Sequence, residues 1–230
     1  MSIVMMVSAN PTIFGAVISC DRPGVLCVGT NDDDIMNGTN LKDFMRASDG
    51  NDKMFGNDAN DTIEGENGVD TLFGGNGTDF VIGGAGNDSL SGGTDGDIIH
   101  GNDGNDTVIG EDGNDHITGG LGADMLRGGI GRDLMWGGGD NDTINGGNGN
   151  DTMFGDTDSF NVHNNPGPDI INGGSGADRL FQNQDPLKAN PLTSDGFKDS
   201  LNCGPGDDIA YINITIDHDR TTNCEHINPH

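Results

Sequence analysis

The chain of 230 residues carries 10 lysines and arginines against 38 aspartates and glutamates, which gives a formal net charge of −28. A charge of this sign excludes nucleic acid and anionic membrane surfaces as natural partners and favours cations. With 41 glycines and 5% aromatic residues, the composition also excludes a conventional thick core and is compatible with disorder unless the order of the residues supplies stability.

The first segment, residues 1–28, is interpreted as a weak or truncated signal peptide followed by an N-terminal cap. Its apolar stretch from Ile3 to Val7 is short, follows no positive charge and is interrupted by Asn10 and Pro11. The segment therefore predicts no membrane span.

The four cysteines lie outside the centre of the chain, at Cys20 and Cys27 before it and at Cys203 and Cys224 after it. No pair has the two-residue spacing of a zinc or redox motif, so disulfides are the better interpretation, with buried free thiols as the alternative. We expect Cys20 to pair with Cys27 and Cys203 with Cys224, because each pair then flanks one end of the central region. Disulfides predict a secreted protein, located outside the cell or at its surface.

A period of nine residues organises the centre of the chain. Aspartate recurs at every ninth position from 34 to 151 and returns in the same frame at 169 and 178, after a degenerate unit with Phe160 in its place. With the glycines before it and the apolar residue after it, the unit reads Gly-Gly-x-Gly-x-Asp-x-apolar-x, numbered here as positions one to nine. A periodic apolar position has no reason to exist without a core. The aspartates are Asp34, Asp43, Asp52, Asp61, Asp70, Asp79, Asp88, Asp97, Asp106, Asp115, Asp124, Asp133, Asp142, Asp151, Asp169 and Asp178.

This unit resembles the RTX, or hemolysin-type, calcium-binding nonapeptide repeat of secreted toxins and proteases, in one register over residues 29–181. The resemblance implies an all-β fold, a right-handed parallel β-roll solenoid. At two units per coil, it would have about eight coils of about 18 residues. Because a stack of coils exposes backbone at its ends, we expect disulfide-stapled terminal caps.

The spacing predicts two columns of stacked aspartates. A chain that turns every nine residues completes a coil in two turns, so residue i stacks on residue i+18 in a parallel ladder at about 4.8 Å. One column is expected to run from Asp43 through Asp151 to Asp169, and the other from Asp34 through Asp142 and past Phe160 to Asp178. Like charges at this spacing repel by about 1 kcal/mol per pair even in water, so the metal-free roll should be unstable.

Calcium between successive aspartates reverses this repulsion, but it needs about six to eight oxygen ligands, so backbone carbonyls must contribute. Glycine in the turns lets several carbonyls face one point. In the family that the sequence resembles, each ion takes the carbonyls of positions two and four and the Asp of one turn, with the carbonyls of positions one and three and the Asp of the next turn in the stack. We expect roughly a dozen ions at most, with the best-formed sites between residues 56 and 151. Two sites implied in this way are Gly75, Gly77 and Asp79 with Gly92, Thr94 and Asp97, and Gly84, Gly86 and Asp88 with Gly101, Asp103 and Asp106.

Residues 182–230 are interpreted as a C-terminal cap that contains Cys203 and Cys224 and blocks edge-to-edge pairing of the last coil. Residues beside each inward position should point outward, and they make one outer face strongly apolar. This face is a candidate for self-association or for docking to a surface or matrix partner, with scattered exposed hydrophobic residues as the alternative. Its residues are Phe80, Ile82, Ile98, Leu134, Trp136 and Phe154.

The sequence contains no His-Glu-x-x-His zinc motif, and the repeat occupies most of the chain. We predict a non-catalytic, secreted calcium-binding protein with a structural, adhesive or extracellular-matrix role. The alternative is a secretion and folding module associated with an extracellular hydrolase. Ice binding ranks last, because threonines do not form regular ladders.

Overall fold

The computed structural model describes residues 15–22, 24–156, 169–183, 199–212 and 220–229, and the regular elements in them are short β-strands. The first half of the chain contains β1 (Val17–Ser19), β2 (Leu26–Val28), β3 (Ile35–Asn37), β4 (Phe44–Asp49), β5 (Lys53–Asp58), β6 (Thr62–Asn67), β7 (Thr71–Asn76), β8 (Phe80–Ala85), β9 (Ser89–Thr94), β10 (Ile98–Asp103) and β11 (Thr107–Asp112). The second half contains β12 (His116–Leu121), β13 (Met125–Ile130), β14 (Leu134–Gly139), β15 (Thr143–Asn148), β16 (Thr152–Asp156), β17 (Ile170–Ser175), β18 (Arg179–Asn183), β19 (Ser200–Asn202), β20 (Ile209–Ile212), β21 (Arg220–Thr222) and β22 (His226–Pro229).

The strands alternate between two parallel sheets. The odd-numbered strands form one sheet of 11 strands and the even-numbered strands form the other, so the chain crosses between the sheets at every turn. Ile99 on β10 lies opposite Val81 on β8 and Ile117 on β12, each 18 residues away. The predicted all-β parallel roll with coils of 18 residues is therefore confirmed.

The core is a file of single apolar side chains between the sheets. Because side chains alternate along a strand, the apolar residue at position eight points inward while its two neighbours point outward. This explains how a chain poor in aromatic residues fills its interior. The inward residues of the repeat are at most 1% exposed; they are Met36, Met45, Met54, Ile63, Leu72, Val81, Leu90, Ile99, Val108, Ile117, Leu126, Met135, Ile144, Met153, Ile171 and Leu180.

The flanking segments extend both sheets. Before the repeat, β1 pairs with β3 and β2 with β4; after it, β19 to β22 continue the two ladders. The stack is thus longer than the predicted eight coils, because parts of the flanks place short strands in register with the repeat. The domain boundaries at residues 28 and 181 remain a prediction.

Both expected disulfides are present at the ends of the stack. Cys20 is bonded to Cys27, with their Cα atoms 5.6 Å apart, and Cys203 to Cys224, at 5.0 Å. The pairing predicted from their positions is confirmed, and the alternative of free thiols is wrong.

The predicted order of the two aspartate columns is wrong after Asp151. Ile144 lies opposite Ile171, and Asp142 stacks on Asp169, across 27 residues instead of 18. Asp151 likewise stacks on Asp178. Asp169 and Asp178 therefore each belong to the column opposite to the one predicted, and Phe160 lies outside the described residues.

The six apolar residues predicted to form an outer face lie on β8, β10, β14 and β16 of the second sheet. Ile98 is 38% exposed, whereas Phe154 is only 5% exposed because its ring stacks between those of Trp136 and Phe181. The face is therefore less exposed at Phe154 than the sequence predicts. Among the described residues, no helix is long and apolar enough to cross a bilayer.

Candidate metal centre

The turns between consecutive strands have a backbone that glycine favours. Where β7 leads into β8, Gly75 near the end of β7 and Gly77 just after it have φ angles of 119° and 120°, which side-chain-bearing residues rarely adopt. The chain can then reverse within three residues and bring Asp79 to the start of the next strand.

Successive coils are joined by a hydrogen bond from the backbone N–H of one column aspartate to a carboxylate oxygen of the next. The backbone N–H of Asp79 donates to Oδ1 of Asp97 at 2.7 Å, and that of Asp88 donates to Oδ1 of Asp106 at 2.7 Å. The same bond recurs along both columns at 2.6 to 2.9 Å. It fixes the orientation of the column carboxylates that accept it, from Asp52 onwards.

The other carboxylate oxygen is buried and unsatisfied. In the described part of the chain, Oδ2 has no hydrogen-bond partner in most column aspartates, although these residues are at most 3% exposed. A buried acceptor without a partner costs about 1–3 kcal/mol, and more if it is charged. The residues concerned in the central stack are Asp52, Asp61, Asp70, Asp79, Asp88, Asp97, Asp106, Asp115, Asp124, Asp133, Asp151 and Asp178.

Burial raises the pKa of these carboxyl groups, because the charged form loses its water. The pKa rises to about 7 for Asp79 and Asp97 and to about 8 for Asp124, although a backbone hydrogen bond lowers each in part. Neighbouring column aspartates raise the pKa further by repulsion. Without a cation, the folded stack therefore favours protonated carboxyl groups.

Glycine at position one leaves space for the unsatisfied oxygen. A Cβ atom on Gly83 would collide with Oδ2 of Asp88 and would lie 2.9 Å from the carbonyl oxygen of Gly101 in the next coil. The carboxylate oxygen and a carbonyl of the following turn therefore border the same small space.

Carbonyl groups of consecutive turns also face this interval. A Cβ atom on Gly93 would collide with the carbonyl oxygen of Gly75, and one on Gly104 with that of Gly86, so these two carbonyls point towards the next coil. The carbonyl of Asp103 points back and accepts the N–H of Gly86 at 2.7 Å. A carbonyl oxygen has two lone pairs, so one stays available to a metal.

Each of the two predicted sites therefore lies between two turns that stack on each other along one edge of the roll. The first interval is bordered by Gly75, Asp79, Gly92, Thr94 and Asp97. The N–H of Asp79 donates to Asp97, and the N–H of Gly77 donates to the Thr94 carbonyl at 3.2 Å. The Gly92 carbonyl oxygen lies 2.5 Å from the Cβ position of Gly74. The second interval is bordered in the same way by Gly86, Asp88, Gly101, Asp103 and Asp106. The assignment of individual ligands remains a prediction.

Among the described residues, no three His, Cys, Asp or Glu side chains converge as a metal cluster. A cation in this stack thus needs backbone oxygens besides the carboxylates. Oxygen ligands of both kinds suit Ca²⁺, a hard cation with flexible coordination. The donor set, the orphaned buried oxygens and the space above each position-one glycine fit calcium.

Sequence reasoning missed two column residues and one supporting feature. Asp199 and Asp208 extend the columns in the C-terminal segment, where they accept from the backbone N–H groups of Asp169 and Asp178. The signal was an Asp-x-apolar pattern at each place. The supporting feature is asparagine at position five, whose side-chain oxygen accepts the N–H of position five in the next coil. The backbone N–H of Asn105, for example, donates to Oδ1 of Asn87 at 2.8 Å.

The sequence matches the family described as RTX calcium-binding nonapeptide repeat over residues 28–63, 55–90, 91–126, 127–159 and 163–181. These segments span well over half of the chain. The chain belongs to the RTX calcium-binding nonapeptide repeat family. A comparison with curated proteins finds no match.

As an RTX repeat protein, the chain is a calcium-binding β-roll. Calcium, when bound, supplies positive charge between carboxylates that otherwise repel one another. The chain's own residues do the rest: the backbone N–H groups orient the carboxylates, the position-one glycines leave room beside them, and the inward apolar residues keep water out of the stack.

Proposed function

We propose that this RTX repeat protein is a secreted, non-catalytic protein that folds outside the cell when calcium fills its two aspartate columns. The observation that carries the proposal is the unsatisfied, buried Oδ2 of the column aspartates, as in Asp79 and Asp97. A metal-free roll would bury many such oxygens at once, which a marginally stable fold of about 5–15 kcal/mol cannot offset.

Export is supported by the redox state and by calcium supply. Two disulfides persist in oxidising compartments and are rare in the cytosol. Extracellular calcium modules commonly bind at about 10⁻⁴ to 10⁻³ M, so calcium outside the cell fills them and cytosolic calcium does not. The chain would then stay unfolded before export and fold after it.

A structural, adhesive or matrix role is the function that such a rod suits best. Its long sheets offer repeated outward positions, and on the second sheet Ile98 is exposed while Phe80, Ile82, Leu134 and Trp136 are half-buried. We propose this face as the contact surface for a second copy or for an extracellular partner. Sedimentation velocity of the calcium-loaded protein, compared with an Ile98→Ser variant, tests self-association through it.

The central experiment is far-UV circular dichroism of chelator-stripped protein titrated with calcium, with magnesium as the control. We expect a cooperative coil-to-β transition that calcium induces and magnesium does not. A β-roll already formed in chelator would overturn the proposal that calcium drives folding.

A further inference from the structure

One turn beyond the matched repeats is built like the repeat turns. Residues 203–208 read Cys-Gly-Pro-Gly-Asp-Asp, and the family match ends at residue 181. This turn stacks on the turn 173–178, since the N–H of Asp178 donates to Oδ1 of Asp208 at 2.8 Å. Gly204 has a φ of 93°, as position-two glycines of the repeat have positive φ angles.

The interval between these two turns has unsatisfied oxygens. Asp178 is 1% exposed and Asp208 is 0% exposed, and among the described residues neither Oδ2 has a hydrogen-bond partner. Both carboxylates are therefore buried and half-satisfied, in the same way as those of the central stack.

Backbone oxygens complete the surroundings. A Cβ atom on Gly173 would collide with the carbonyl oxygen of Cys203 and lie 2.7 Å from Oδ2 of Asp178. Cβ atoms on Gly204 and Gly206 would collide with the carbonyl oxygens of the turn below. Three carbonyls and two carboxylates thus border one interval, close to the oxygen count that Ca²⁺ requires once water is added.

This interval differs from the repeat sites in being tied by a disulfide. Cys203, whose carbonyl borders the interval, is bonded to Cys224, and the next residue, Glu225, accepts the N–H of Asp208 at 3.1 Å through Oε2. The disulfide therefore joins the turn that contains Asp208 to Cys224, the residue before the Glu225 that accepts the Asp208 N–H.

We propose that the turns 173–178 and 203–208 hold a further calcium ion, and that the Cys203–Cys224 disulfide sets the affinity of this site. The inference rests on the proposed calcium-dependent folding. A dithiol reductant supplies two electrons and two protons, breaks the S–S bond to leave two thiols, and is itself oxidised to a disulfide. The last coil then loses its covalent tie and Asp208 its fixed position, which should weaken calcium binding at this site about tenfold or more, as loss of a positioning partner does at other metal sites.

The chain offers a local probe for the test. Tyr211, the only tyrosine in the sequence, lies three residues after Asp208 on β20. Trp136 is the only tryptophan. In a Trp136→Phe background, which keeps the ring stack, tyrosine-sensitised Tb³⁺ luminescence reports on metal near Tyr211. Calcium per chain is measured in parallel by equilibrium dialysis.

We expect Asp208→Asn to remove most of the sensitised emission and one calcium per chain. Asp207→Asn removes the same charge from an exposed neighbour that pairs with His226 and acts on Asp208 only through its charge, so it should keep the calcium count and most of the emission. Reduction of the unsubstituted disulfides should raise the Tb³⁺ midpoint of the Trp136→Phe chain about tenfold.

Unchanged emission and calcium count in Asp208→Asn would overturn the site, and an unchanged Tb³⁺ midpoint on reduction would overturn the role of the disulfide. The reduction experiment needs no substitution at Asp208, so it tests the role of the disulfide even if Asp208→Asn fails to fold. In that case, absence of tyrosine-sensitised emission from the Trp136→Phe chain itself would overturn the site. A chain that binds no calcium at all would instead refute the proposed function, so the two failures are distinguishable.

Discussion

The backbone N–H of Asp79 donates a 2.7 Å hydrogen bond to Oδ1 of Asp97, the residue stacked on it in the next coil. Each column carboxylate of the central stack, from Asp52 onwards, thus has two separate roles. One oxygen satisfies a backbone donor of the preceding coil, and the other, Oδ2, faces the interval between turns without a protein partner among the described residues. The first role needs only an oxygen acceptor, whereas the second needs a negative charge.

Replacement of Asp97 by Asn separates the two roles. The amide oxygen can still accept the N–H of Asp79, but the group is neutral and turns an N–H₂ towards the cation. We expect the calcium midpoint of folding to rise at least about tenfold, measured by circular dichroism. The matched control is Asp95→Asn in the same turn, because Asp95 is exposed and has a φ of 72° that Asn tolerates. Equal shifts in both variants would contradict a special role of the column.

Acidification should stabilise the metal-free roll. Burial raises the pKa of Asp79 to about 7 and of Asp124 to about 8 from an ordinary 3.8. A raised carboxyl pKa means that the fold prefers the neutral form. The penalty for burying charge is therefore absent below about pH 4 and grows as the pH rises through about 6 to 8.

We expect chelator-treated protein to gain β-structure, followed by circular dichroism, as the pH is lowered from about 8.5 to about 5. The calcium-loaded protein serves as the comparison, and its calcium affinity should fall over the same range because protons compete for the carboxylates. Loss of structure in the metal-free protein on mild acidification would show that the column carboxyl groups do not govern its stability.

Alanine at Gly83 should destabilise the calcium-loaded roll. The added Cβ would collide with Oδ2 of Asp88, and overpacking of this kind costs about 1–3 kcal/mol. Replacing glycine also lowers the conformational entropy of the unfolded chain, which stabilises the fold by only about 0.4–1 kcal/mol. The net effect should therefore be destabilising. Thermal unfolding in calcium checks this, with Ser89→Ala at an exposed position near the same turn as the control. A variant as stable as the parent would mean that the space above position one is not needed.

Ile98 and Ile99 test the single-file core with the same chemical change at adjacent positions. Ile99 is 0% exposed between Val81 and Ile117, whereas Ile98 is 38% exposed on the outer face. Ile99→Ala should cost about 2–5 kcal/mol of unfolding free energy, and Ile98→Ala about 0.5 kcal/mol or less. Chemical denaturation in calcium measures both, and similar losses would contradict the assignment of the inward face.

The fold could be predicted almost entirely from the nine-residue period. A recurring Asp and a recurring apolar residue two places later fix the turn, the strand and the inward face together, as the burial of Asp97 and Ile99 shows. The unsatisfied oxygens could not be predicted, because which carboxylate oxygen accepts the backbone N–H depends on the registry of neighbouring coils.

The error after Asp151 has a simple cause. The step from Asp142 to Asp169 is 27 residues, nine more than a coil, so the extra residues preserve the phase of the repeat. Periodicity cannot distinguish such a step from a degenerate unit in the stack. The step of 21 residues from Asp178 to Asp199 breaks the phase instead, which is why the period did not predict the last column residues.

The hydrogen bonds from backbone N–H groups to the column carboxylates all run in one sense among the described column residues: the donor of one coil meets the carboxylate of the coil that follows. The rod is therefore polar, as a cytoskeletal filament is, with two unlike ends. At its start Ala16 donates to Asp34 without contributing a carboxylate of its own, and at its end Glu225 takes the acceptor place with a longer side chain. Coils could be added or lost in the middle of such a rod without altering either end, because every joint between them is of the same kind.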